Sequence, residues 1–141
     1  MSFTATLTDN TAKKLAAWKA AAIAGNKAGV QAGAEVFESE AKENAPVLTD
    51  RLRDGIHTET VLDTDMQQQL MVTPVVAASN KYGFEPPYAR RIELGFIGVD
   101  SLGRHYHQAP EPYMRPAFDD KKDAAADAHE NTFRSTLKGA A

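Results

Sequence analysis

No cysteine occurs in the 141 residues, so disulfides, thiolate zinc sites and cysteine nucleophiles are excluded. Long apolar runs are missing as well. No stretch approaches the roughly 18 apolar residues of a membrane span, and the opening "MSFTATLTDN" lacks the basic start and apolar run of a signal peptide. The expected setting is a cytoplasm, or a larger assembly built in one, without membrane contact. A basic excess is also absent. The net charge is −3, whereas non-specific DNA binders draw most of their affinity from neutralising phosphates. Catalytic fingerprints are lacking too. Ser101 sits in "DSLG" rather than in a Gly-X-Ser-X-Gly elbow, and neither a phosphate loop nor a dinucleotide glycine pattern is present. The carboxylates are scattered, with no pair to serve as acid and base. The expectation is therefore no enzyme and no cofactor.

What is present suits one soluble globular domain over residues 1–141. Apolar residues make up 43% and charged residues 25%, both ordinary for that class. Much of the apolar content is alanine, which buries little area, so the chain should be modestly stable alone and gain from association. The pattern predicts α+β: a long N-terminal helix, a small antiparallel sheet, a short helix, a long loop or arm, and a C-terminal helix.

The first helix is expected from about Asp9 to Glu43, with Thr8, Asp9 or Asn10 as cap. Leu15, Trp18, Ala22 and Ile23 share one face, and Val30, Gly33, Ala34, Phe37 and Ala41 follow at spacings of three and four. "AGNKAG", residues 24–29, is expected to kink or break it, since glycine costs about 1 kcal/mol in a helix interior. The small residues either favour helix by propensity or let a second helix approach closely. Pro46 ends the segment. A brief turn through Arg53, capped by Thr49 or Asp50, leads to a strand "IHTETVLD". "DTDMQ" reads as a hairpin connection to a second strand, "QLMVTPVVAA", where Pro74 marks an edge or bulge. "YARRIELG" predicts a two-turn helix with Gly95 as C-cap. The last helix is expected over Met114–Lys138, with Pro116 in the first turn and a stripe of Phe118, Ala125, His129, Phe133 and Leu137.

The segment from about 96 to 114 differs from the rest. "FIGVDSLGRHYHQAPEP" reads as an extended excursion or a loose hairpin around "DSLG". Phe96, Ile97, Val99, Leu102, Tyr106, Pro112, Tyr113, Met114 and Arg115 are the candidate contact residues of an interface arm. A monomer would expose too much of this apolar surface, and Tyr, Met and Arg are types enriched at interfaces. Pro110, Pro112 and Pro116 stiffen the arm and lower the entropy cost of docking it. His105 and His107 would face one side of a strand, a spacing that suits zinc, with Glu93, Asp100 or Glu111 as a carboxylate. The plainer reading is two polar loop residues. Arg90, Arg91 and Arg104, joined by Lys81 and Arg115, form a basic group that either faces DNA or an acidic patch, or pairs with nearby Glu93.

Two blocks carry a resemblance. "AKENAPVLTDRLRDGI" resembles one signature of the small head–tail joining proteins of tailed bacteriophages, also called neck or tail-completion proteins. The matching positions are Ala41, Lys42, Ala45, Pro46, Thr49, Leu52 and Ile56, with Asp50 standing where glycine usually follows the threonine. "YARRIELG" followed by "APEPYMRPAF" is similar to the second signature, at Tyr88, Ala89, Glu93, Gly95, Pro112, Tyr113, Arg115, Pro116 and Ala117. The resemblance spans roughly Val30 to Phe118. It implies a non-catalytic virion component, assembled in the host bacterial cytoplasm, that forms a homo-oligomeric ring at the head–tail junction. Analogy suggests six copies. The implied neighbours are head-completion or connector proteins on one side and tail-terminator or tail-tube proteins on the other. Genomic DNA would pass through the lumen without specific binding.

Overall fold

The computed structural model describes residues 2–46, 51–74, 88–99 and 101–139. In chain order the elements are α1 (Ser2–Asn44), α2 (Arg51–Gly55), β1 (Ile56–Asp63), β2 (Gln68–Pro74), α3 (Tyr88–Leu94), β3 (Phe96–Val99), β4 (His105–Gln108) and α4 (Met114–Lys138). The class is α+β, as the pattern predicts. The expected caps Thr49 and Asp50, Lys81 of the basic group, Asp100, and the strand continuation at 75–78 lie outside the described residues.

α1 differs from expectation in two ways. It begins at Ser2, not near Asp9, and it runs unbroken through Gly25 and Gly29. The unbroken course through the glycines is explained by α4, which packs antiparallel along this face. A Cβ at Gly25 would lie 3.2 Å from Phe133 and Thr136, one at Gly29 2.7 Å from the His129 ring, and one at Gly33 3.2 Å from the Ala125 carbonyl oxygen. The glycines bring the two backbones together, and burial between the helices offsets their propensity cost. Phe37 and Phe118 stack at 5.4 Å between ring centroids, and Asn26 Oδ1 lies 3.3 Å from His129 Nε2. Lys121 Nζ reaches Glu40 at 3.1 Å.

The core is small and sits where α1 ends. It comprises Ala41, Ala45, Leu52, Ile56, Ala89, Ile92, Tyr113 and Ala117. Five elements meet there, each contributing one or two side chains. β1 and β2 pair antiparallel from Ile56↔Pro74 to Asp63↔Gln68, with a register shift between Thr60 and Leu62. Only the Ile56 end of β1 is buried. Pro74 stands at the end of β2 opposite Ile56, where a missing N–H is tolerated. The hairpin is tied to α1 by the Thr58 hydroxyl, which donates to Glu38 at 2.7 Å. Lys42 and Thr58 together hold the Glu38 carboxyl below its ordinary pKa.

The arm at 96–114 is more regular than expected. β3 and β4 form a second two-stranded antiparallel sheet, paired from Phe96↔Gln108 to Val99↔His105. The hairpin alternative is therefore the one adopted, because cross-strand bonds satisfy backbone groups that an extended excursion would leave to water.

Candidate functional site

The β3–β4 hairpin stands on two fixed roots. At the entry, Gly95 has φ +74°, and a Cβ there would come within 2.8 Å of the Gln108 carbonyl oxygen. Only glycine fits both constraints. At the exit, the Glu111 N–H donates to the Ile92 carbonyl at 2.8 Å. The Glu93 carboxylate accepts the N–H groups of Tyr113 at 2.7 Å, Met114 at 3.0 Å and Arg115 at 3.1 Å. These are the exposed donors at the start of α4, where Tyr113 supplies no side-chain cap of its own. A carboxylate twenty residues upstream thus acts as the N-cap of α4.

Between the roots the strand alternation separates two faces. Phe96, Gly98, Tyr106 and Gln108 share one. The Phe96 ring folds over Gly98, where a Cβ would meet it at 2.3 Å, and the Arg91 guanidinium lies over the same ring at 4.2 Å from the centroid. Arg91 is thereby engaged in a cation–π contact with the hairpin base. The other face carries Ile97 opposite His107 and Val99 opposite His105. It points outward. Ile97 is 78% and Val99 57% exposed, and Leu102 in the turn is 76% exposed. Gly103, at φ +78°, completes the turn, and a Cβ there would meet nothing within 4 Å. Tyr106 is exposed as well.

The expected contact residues therefore divide. Phe96, Ile97, Val99, Leu102 and Tyr106 lie on the hairpin, and Pro112 and Arg115 are exposed at its exit. Met114 is half-buried against the core. Tyr113 is fully buried within the chain's own core, so its ring is not available to a partner. Proline on both sides made the segment read as exposed, but Tyr113 is the point where the chain plugs back into the body. Burial, and secondarily the Glu93 carboxylate, push the Tyr113 phenol up to about 12. Its hydroxyl has no hydrogen-bond partner among the described residues. Tyr113→Phe is therefore expected to raise stability by about 1 kcal/mol, by removing an unsatisfied buried group. Because the folded pKa exceeds the unfolded one, wild-type stability is intact below about pH 10 and falls as pH climbs toward 12. The phenylalanine variant lacks this contribution to alkaline loss. Urea unfolding at pH 7 and pH 11 reads both effects, and a less stable variant at pH 7 would show that the hydroxyl has a partner after all.

The polar candidates are less concentrated than the sequence suggested. His105 and His107 share one exposed face of β4. Among the described residues, no group of three or more His, Cys, Asp or Glu is placed to hold a metal ion. Arg90 is exposed on α3 and Arg104 lies beside the hairpin turn. Glu93, considered above as their ion-pair partner, serves α4 instead. A further concavity lies between α1, β2 and α4. It is an apolar groove of about 650 Å³, lined by Val30, Phe37, Leu70, Val72, Met114 and Phe118 among others.

Two features escaped the reading by residue pattern. Glu93 as a cap joins residues too far apart in sequence for any local motif to show. Leu15 and Trp18 are exposed at 70% and 58%, although their face continues the one that α4 covers. The signal was available in the lengths, since a 25-residue α4 cannot cover a 43-residue α1.

None of these surfaces shows an arrangement of acid, base and nucleophile; what they offer is a rooted apolar hairpin and long helical faces. No curated protein and no solved structure matches the chain. A family model described as "Bacteriophage HK97-gp10, putative tail-component" matches residues 7–95, from the first turns of α1 to the glycine at the hairpin's entry. The chain belongs to the HK97-gp10-like family of bacteriophage tail components.

Proposed function

We propose that this tail-component protein is a structural ring protein of the head–tail junction. Six copies join the connector or head-completion protein on one side to the tail-terminator or tail-tube protein on the other. DNA passes through the lumen. The observation that carries this reading is the β3–β4 hairpin: an apolar outer face held rigidly at both roots and left in solvent by the single chain. An exposed apolar patch of this kind marks a contact surface. The absence of a basic excess, at net charge −3, suits a conduit that must not grip the duplex.

The test is a double substitution at the hairpin, Ile97→Asp with Leu102→Asp. Neither side chain is part of the core, so the fold should survive. The contact should weaken at least about tenfold, since buried apolar anchors dominate interface energies. Infected cells should then accumulate filled heads and separate tails, as they should when the protein is omitted altogether. Normal joined particles from either preparation would overturn the proposal.

A further inference from the structure

The N-terminal part of α1 outruns everything that packs on it. Gly25 lies against Phe133 and Thr136, near the end of α4, and residues 21–23 are still half-buried. Residues 10–20 are exposed on every side. With α1 starting at Ser2, about 20 residues project beyond the body, roughly 30 Å at 1.5 Å per residue. At 100° per residue, Leu15, Trp18 and Ala22 fall on the same face as Gly25, Gly29 and Gly33. The seam that α4 covers thus continues along the projection and ends in two large apolar side chains in solvent. Most helical stability in proteins comes from packing an apolar face, and this part of α1 packs on nothing in its own chain among the described residues.

Charge is segregated along the same helix. Residues 10–34 contain Lys13, Lys14, Lys19 and Lys27 and no acidic residue, whereas residues 35–43 contain Glu35, Glu38, Glu40 and Glu43 against Lys42 alone. Lys14 and Lys19 flank the Leu15–Trp18 stripe on its two edges. The acidic half borders a shallow groove between α1 and α4, whose apolar floor is Ala32, Val36 and Ala124; Glu35 and Glu43 stand on its rim, while Glu40 is paired with Lys121 inside it. An apolar stripe edged by lysines thus matches an apolar floor edged by carboxylates. A continuous helix cannot fold back onto its own second half, so the match is met only between molecules.

We propose that the N-terminal projection of α1 from one copy docks in the acidic α1–α4 groove of a second copy. Trp18 and Leu15 lie on the Ala32, Val36 and Ala124 floor, and Lys14 and Lys19 lie against Glu35 and Glu43. The contact is head-to-tail, the kind that closes into a ring when the rotation allows. It deepens the ring reading above and rests on it only for that closure. Like charges along each projection disfavour the alternative of two projections pairing with each other.

Trp18 is the chain's only tryptophan, so its emission reports this contact and not the hairpin's. In purified full-length protein, rising concentration should move the emission to shorter wavelength as sedimentation shows larger species. Lys14→Glu with Lys19→Glu should weaken association at least about tenfold, and Glu35→Lys with Glu43→Lys should do the same. All four side chains are exposed, and unchanged circular dichroism of each variant confirms folding. An equimolar mixture of the two variants should recover association, because each reversed projection meets a reversed groove and each native projection a native one. Four results would overturn the proposal: association with Trp18 emission unchanged, variants that associate like wild type, no recovery in the mixture, or wild type monomeric throughout. A lysine variant that loses binding only to duplex DNA or anionic vesicles would overturn it equally. Failure of the ring reading is read separately, from the hairpin variant and the joining of particles.

Discussion

Glu93→Ala should destabilise the protein by about 3 kcal/mol. Hydrogen bonds to a charged group are worth about 1.5–3 kcal/mol each, and loss of an N-cap costs about 1 kcal/mol. Three N–H groups converge on this one carboxylate. They share its two oxygens, so the sum is not additive, and removal leaves donors unsatisfied beside the buried Tyr113. A carboxylate in the last turn of α3 is unfavourable for that helix's own dipole, so its benefit lies across the fold, at the start of α4. Glu93→Gln keeps an oxygen acceptor without the charge and should lose about half as much. Both are read as shifts of the urea midpoint at unchanged slope. Wild-type resistance in Glu93→Ala would show that α4 is held without the clamp. Domains of this kind have about 5–15 kcal/mol in total, so the alanine variant should also show raised proteolysis at the hairpin exit.

The second large effect is expected at the helix crossing. Gly29→Val should cost about 3 kcal/mol, the upper part of the range for overpacking. Already the first carbon of the side chain would stand 2.9 Å from the His129 backbone oxygen, which cannot move without displacing α4. Helix propensity works the other way, favouring replacement of glycine by a few tenths of a kcal/mol up to about 1 kcal/mol, so the sign of the measured change decides between propensity and packing. The three sites should form a series. Alanine at Gly29 should hurt most and at Gly33 less, since the approach there is 3.2 Å to a backbone oxygen. At Gly25 it should hurt least, because the two nearest neighbours are side-chain atoms of Phe133 and Thr136 and the backbone oxygen of Phe133 stands farther off, at 3.4 Å. Urea midpoints in the reverse order, or a stabilised Gly29→Ala, would mean that α1 and α4 are not held at this distance in solution.

Both cases mark where sequence reading reached its limit. α4 was legible to its ends, because Pro116 in the first turn and apolar residues four apart are local signals. The β1 strand and α3 were legible for the same reason. The glycines at 25 and 29 were read through intrinsic propensity, and a packed neighbour overrode it. The start of α1 was misplaced because Thr8, Asp9 and Asn10 favour caps but also tolerate a helix interior. In the hairpin, Gly98 interrupted the alternation that would have announced a strand, and its purpose appears only with the Phe96 ring lying over it. Tyr113 read as part of an exposed arm, because nothing local shows that a side chain between prolines turns inward. Family membership was visible in "AKENAPVLTDRLRDGI" and "YARRIELG", which lie within the matched residues 7–95, whereas "APEPYMRPAF" lies beyond them. The exposed apolar residues of the arm were legible as a set, while their division between hairpin and core was not.

The way the hairpin is rooted bears on how such a protein can change over generations. Everything that fixes its position belongs to the body: Gly95, the Ile92 carbonyl, the Glu93 carboxylate and the buried Tyr113. Between residues 97 and 99, and again from 101 to 112, no side chain is fully buried. Apart from Gly98, covered by the Phe96 ring, and Gly103, at φ +78°, substitutions there leave the folding equilibrium nearly untouched, since exposed positions away from caps and cores shift stability by about 0.5 kcal/mol or less. The tip can therefore be rewritten for a new neighbour in a few steps, without a compensating change in the core. Phe96 is the exception, tied to Arg91 and Gly98, and it marks the boundary between the part that must be inherited intact and the part that is free to drift.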